Sequence, residues 1–161
     1  MNYLEHHISL KVDLDSLEIN RSNNITCTIY FIIDYHRYFP SEGWDDFLVI
    51  ILSWWIKSIR GLDISRLGTT YKLDFMDGTP EIFVKKISED QVEMNFKFED
   101  NLEDSFKGRF LFKELKDSVL SVSKKVIREL DRNQWITEDI DEFKALVLSL
   151  ERYPFKRGTN K

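Results

Sequence analysis

The stretch Ser41–Gly61, SEGWDDFLVIILSWWIKSIRG, decides how this chain has to fold. On a helix turning about 100° per residue, Asp46, Ser53, Lys57 and Arg60 fall within about a 60° sector, and most of the remaining circumference is apolar. Trp44, Leu48, Ile51, Trp55 and Ile59 define the opposite face. A helix of this kind cannot rest on a surface; the rest of the protein must enclose it. Ser41 is the expected N-cap, with Asp45 and Asp46 near the positive end of the helix and Lys57 and Arg60 near the negative end. Gly61 suits the left-handed position just beyond. Burying Trp54 and Trp55 would remove about 400 Å² from water, worth up to ~10 kcal/mol before entropy and denatured-state corrections.

Strand patterns surround this helix. Ile8, Leu10, Val12 and Leu14 alternate with Ser9, Lys11 and Asp13, the period of a strand with one wet face. After the polar turn Asn20–Asn24, the run Ile25–Tyr35 is β-branched and aromatic on both faces, as a central strand would be, and Pro40 closes the segment. Beyond a connector at Ile64–Thr70, strands are expected at Thr70–Met76, Glu81–Ile87 and Gln91–Phe98. The turn Asp77-Gly78-Thr79-Pro80 joins the first two. Val92, Met94, Phe96 and Phe98 share one face of the last. Glu99–Asp104 reads as an acidic loop, and Phe106–Phe112 as either a short strand or a lead-in to the next helix. Phe112, Leu115, Val119, Val122, Val126 and Leu130 keep helical spacing to about Asp131. A final helix starts near Thr137, with Ile140, Phe143, Val147 and Leu150 inward and Pro154 after it.

The expected fold is therefore a single α+β domain over residues 1–155, with a basic tail at 156–161. An antiparallel sheet of five to six strands packs on one buried Trp-rich helix and two C-terminal helices, in the order ββαβββαα. At 161 residues, with 42% hydrophobic and 14% aromatic content, the chain has material for one substantial core. A net charge of −5 argues against general nucleic-acid binding, which needs a surplus of Lys and Arg. With Cys27 alone there is no intramolecular disulfide, which fits a reducing cytoplasm. Neither a signal peptide nor a span long enough for a bilayer is visible, so a soluble cytoplasmic chain is expected.

Catalytic patterns are scarce. His6 and His7 are adjacent, so on a strand they point to opposite faces and cannot share one ion, and no HxxxH, HxH or CxxC spacing is present. Cys27 lies mid-strand between threonines, where a small buried thiol is the ordinary explanation. The six glycines form neither a nucleophile elbow nor a phosphate loop. No catalytic residue, metal or cofactor is expected. The best recognition candidate is the aromatic and basic segment around Tyr35, His36, Arg37 and Tyr38, against the plainer reading of a strand end capping the core. The other candidate is a set of acidic groups: Asp45-Asp46, the run containing Glu99, Asp100, Glu103 and Asp104, and Glu138–Glu142. If they converged they would offer a negative face to a basic partner, although two of them sit where helix starts ordinarily carry carboxylates.

The Trp44, Phe47, Ile51, Trp54, Trp55 pattern, the Phe75–Pro80 turn (FMDGTP) and the long helix after a further strand resemble small bacterial proteins, across residues 41 to 130. Some of these are similar to the immunity proteins of polymorphic and contact-dependent toxin systems. The shared motifs are structural, so no functional residue is carried over. What the resemblance implies is a cytoplasmic partner-binding role, with a cognate toxin or other basic protein as partner. The competing expectation is a small-ligand-binding protein or an enzyme with its site near residues 34–39. RNA binding through stacked aromatics and Arg37 is disfavoured by the charge balance.

Overall fold

The computed structural model describes residues 5–98 and 101–152, with 101–104 described as backbone only. The chain is a single α+β domain, but its strands divide into two antiparallel four-stranded sheets instead of one sheet of five or six. The element order is ββββαββββαα.

The first sheet is built on β2 (Ile25–Ile33), whose residues alternate between buried and half-buried positions except for three consecutive buried ones, Ile29 to Phe31. β1 (Ile8–Ile19) lies along one edge of β2, while two short strands, β3 (Arg37–Phe39) and β4 (Asp45–Phe47), share its other edge. A register shift between Asp13 and Glu18 interrupts the β1–β2 ladder. The Ser16 hydroxyl fills the gap, donating to the Asp13 carbonyl at 2.6 Å and accepting the Thr28 N–H at 2.8 Å. Cys27 is buried at this point, and burial is the main cause that pushes its thiol above the ordinary value, as expected of an inert core residue.

The second sheet runs in chain order: β5 (Thr70–Asp74), β6 (Glu81–Lys86), β7 (Gln91–Phe98) and β8 (Asn101–Leu111). Val92, Met94 and Phe96 are buried, as their alternation predicts. Gly78 takes the positive φ of 83° that its turn needs. The expected acidic loop is corrected in part: residues 101–104 are already strand, with Asn101 paired to Phe98 of β7, and Glu99 and Asp100 lie outside the described residues. The tail at 156–161 also lies outside them.

Helix α1 (Leu48–Ile64) is the tryptophan helix, shifted toward the C-terminus from its expected bounds. Asp45–Phe47 is consumed by pairing with β2, so Phe47 and not Ser41 precedes the helix. At the other end Gly61 is inside the helix, which runs on to Ile64, and the position takes glycine because a Cβ there would stand 2.5 Å from the Tyr71 ring of β5. The carbonyls of Asp63 and Ser65 at the C-terminal end accept hydrogen bonds from the buried Lys86 ammonium at 3.2 and 3.0 Å. Trp55 is fully buried, but Trp54 is 37% exposed and Ser53 is buried, so the wet stripe is rotated from the one expected. The reason is tertiary. α1 is packed by β2, β4 and β5 and by two further helices, α2 (Phe112–Arg132) and α3 (Glu138–Arg152).

α2 buries Leu115, Val119, Val122, Val126 and Leu130 against β1, β8 and α3, at the predicted spacing. β8 runs on to Leu111 and α2 starts at the next residue, which resolves the ambiguous segment as strand. Thr137 caps α3, its hydroxyl accepting the Ile140 N–H at 3.1 Å. One contiguous core joins both sheets and all three helices. No helix among the described residues is long and apolar enough to cross a membrane.

Candidate recognition site

The polypeptide reverses between β2 and β3 at Asp34-Tyr35. Both residues have positive φ, 53° and 70°, and the His36 N–H donates to the Ile33 carbonyl at 3.2 Å. Two consecutive positive φ values are what the tight hairpin turn demands, and Asn-Gly is the pair that adopts them most easily. Tyr35 carries a Cβ and a large ring into that region, at a cost of about 1–2 kcal/mol. Its ring is 77% exposed, so no burial offsets the strain.

The turn is held by the N-terminal segment. Asp34 bonds the His6 imidazole Nδ1 at 2.6 Å through one carboxylate oxygen and accepts the His7 backbone N–H at 2.9 Å with the other. His7 turns the opposite way, as strand alternation requires, to Glu114 in the first turn of α2 at 3.2 Å and to the Tyr35 ring at 5.3 Å. His6 also ties the two sheets together. It pairs in parallel with Phe110 of β8, donating its N–H to the Arg109 carbonyl at 2.8 Å, while Ile8 pairs with Ile33 of β2. Its ring lies over Gly108, where a Cβ would stand 2.5 Å away, and meets Phe106 edge-on at 5.0 Å.

Burial alone would raise the Asp34 carboxyl. The His7 amide, then the His6 hydrogen bond and the two histidine charges, overcome that and hold it below the usual carboxylate value. A carboxylate depressed in the folded state stabilises above its unfolded pKa of about 3.9 and loses that contribution as pH falls through the lower folded value. Asp34→Asn keeps a residue that tolerates positive φ and removes only the charge. It is expected to cost about 1 kcal/mol at pH 7 and progressively less as the pH falls through the depressed Asp34 value, with denaturant midpoints of both proteins measured across that range. A difference independent of pH would show that the clamp is not electrostatic.

Downstream of the turn the candidate residues diverge. His36 is exposed, its Nδ1 bonded to the Asp34 carbonyl at 2.7 Å. The Arg37 guanidinium lies over the Phe106 ring, 4.6 Å from its centroid. Tyr38 is 37% exposed and meets Tyr30 edge-on. Phe39 is buried against Phe98 and Phe96 at 4.6 and 5.1 Å. Between β3 and the β7–β8 pair these residues surround a cavity of 370 Å³, lined by Ile33, Arg37, Tyr38, Phe39, Phe96, Phe98, Ser105 and Phe106.

No family model, curated protein or solved structure matches the chain.

The strand that carries Glu103 and Asp104 continues directly into the cavity wall at Ser105 and Phe106, so β8 and the β2–β3 tip, which hold the two sequence candidates, meet here. In the other acidic groups, Asp46 and Glu142 are not free charges. Asp46 is buried and accepts hydrogen bonds from the Trp44 indole and the Phe47 N–H, and Glu142 on α3 reaches Lys57 at 3.5 Å. Among the described residues no three His, Cys, Asp or Glu side chains gather to hold a metal ion. The His6–Asp34 pair is not evident from sequence, because its members are 28 residues apart. Gly108 within a strand pattern is the one local signal, since such a glycine marks a close approach by another group.

Proposed function

We propose that the protein is a cytoplasmic binding module, an immunity-type inhibitor that meets a bacterial toxin through the β2–β3 tip. The observation that supports this most directly is Tyr35, strained and exposed, fixed in place by two histidines and a carboxylate. Strain maintained at an exposed aromatic residue does not serve stability. It suits a contact residue delivered to a partner in one orientation, with little entropy left to lose on binding. Arg37 and Tyr38 beside it are residue types that anchor interfaces. The acidic run leading into β8 adds charge suited to a basic partner.

Tyr35→Gly separates the two roles. It relieves the backbone and is expected to leave stability unchanged or raise it by up to ~1 kcal/mol, read from the thermal midpoint. The same change is expected to weaken partner binding about thirtyfold, the scale of an interface hot spot. The measurement is titration against the product of the neighbouring gene, with co-expression scored for relief of toxicity. Recovery of the wild-type protein from its own cell only as a free monomer, with no toxin encoded nearby, would overturn the reading.

A further inference from the structure

We infer that the cavity between β3 and the β7–β8 pair is a binding site for an apolar carboxylate, a ligand with a hydrocarbon or aryl body and one acid group. This goes beyond the partner-binding reading and does not depend on it, because Tyr35 takes no part in the cavity wall.

At 370 Å³ the cavity falls within the range of about 300–1,000 Å³ that small-molecule sites occupy. Its walls are rings already locked against one another. Phe39 meets Phe96 and Phe98, and Phe96 meets Phe106, so the space is formed without a ligand. An apolar body could enter with little rearrangement. Two polar groups then set the chemistry of the head. The hydroxyl oxygen of Ser105, a lining residue, is buried and has no hydrogen-bond partner among the described residues, a costly state that a ligand oxygen would relieve once the hydroxyl turns to the cavity. Arg37 stands at the same wall with its guanidinium plane supported by Phe106, and among the described residues it has no carboxylate partner. A guanidinium offers two parallel donors that match one carboxylate. A cation stacked on Phe106 and an unsatisfied hydroxyl, both on residues that line the same ring-walled cavity, thus favour an acid over an amide or an amine. The acidic run preceding Ser105 in the chain makes a cationic amphiphile the rival occupant.

The test uses decanoate, decanamide and decylammonium as probes, each below its aggregation concentration, with binding followed by calorimetry and by methyl and aromatic NMR shifts. Decanoate is expected to bind saturably at one site, shifting Ile33, Phe98 and Phe106. Decanamide should bind about tenfold more weakly, as should decanoate to Arg37→Gln. Ser105→Ala should lose about threefold to tenfold. Arg132→Ala, which removes an exposed cation at the C-terminal end of α2 and outside the cavity wall, should bind like the wild type. Melting curves establish that each variant is folded, and the comparison of probes needs no variant at all. Absence of saturable decanoate binding, equal affinity for decanamide, or preference for decylammonium would each overturn the assignment. None of these outcomes would alter the Tyr35→Gly result by which the partner-binding reading stands or falls.

Discussion

Replacing Trp55 with alanine is expected to destabilise the protein by about 3–5 kcal/mol, the largest effect of any single exchange considered for this fold. The indole has no exposed surface. It lies between Phe31 of β2, at 5.1 Å, and Phe75 just beyond β5, at 5.4 Å, so one side chain on α1 touches both sheets. Its N–H donates to the Asp74 carbonyl at 2.7 Å, satisfying the polar edge that so deep an indole would otherwise waste. Alanine removes about 200 Å² of buried apolar area and leaves a cavity where three elements meet. It also orphans the carbonyl. Two companions apportion the loss. Trp55→Phe keeps most of the volume and removes the hydrogen bond, and should cost about 1–2 kcal/mol. Trp54→Ala, one residue along on the partly exposed side, should cost less than half of the Trp55→Ala value. Denaturant midpoints at constant slope provide the ranking. Equal effects at Trp54 and Trp55 would mean that the helix is not enclosed on one side and open on the other.

The contrast between those tryptophans shows how far the pattern of residues could carry the fold. The helix is apolar nearly all round, so its need for enclosure was legible, and its polar sector already set Trp55 on the opposite face, but nothing local says that the neighbours cover Ser53 and leave Trp54 partly open. The strand β7 was legible to the residue because it alternates and turn signals flank it. By contrast β3 and β4 have three residues each, too few to show a period, and exist because β2 offers them an edge. The same pairing drew Asp45–Phe47 out of the helix, overriding a plausible cap at Ser41. β8 begins in Asn101–Asp104, a sequence of poor strand formers, because it pairs back onto β7. Tertiary pairing outweighed local propensity in each case. The recognition segment was legible as a mixture of rings and charges between two apolar runs. Its lock was not, since His6 and Asp34 meet only when β1 aligns along β2, and the cavity needs β3 and β8 to be brought face to face.

Asp46→Ala is the second large effect, expected at about 2–4 kcal/mol, and its reason differs from that for Trp55. Asp46 reads from sequence as one of two carboxylates near a helix start, an exposed charge worth a few tenths of a kcal/mol. In the fold it is 8% exposed and faces three donors. One oxygen accepts the Phe47 N–H at 2.8 Å, and the other accepts the Trp44 indole N–H at 3.0 Å and the Met76 N–H at 3.4 Å. These belong to β4, to the approach to α1 and to the turn after β5, so one carboxylate joins the helix entrance to the second sheet. Alanine would leave all three donors facing a shell with no acceptor, and each buried orphan costs about 1–3 kcal/mol, with incomplete additivity because water can reach the partly exposed Trp44. Asp46→Asn keeps an acceptor but must turn its amide group toward a donor, and should cost roughly half as much. Asp45 is the internal control. It is exposed and, among the described residues, bonds only the Thr28 hydroxyl, at 2.6 Å, so Asp45→Ala should stay below ~1 kcal/mol. Chemical denaturation of the three variants distinguishes the alternatives: similar small losses at both positions would mean that the pair acts as surface charge at a helix end, whereas a large loss at Asp46 alone marks a buried junction built around one carboxylate.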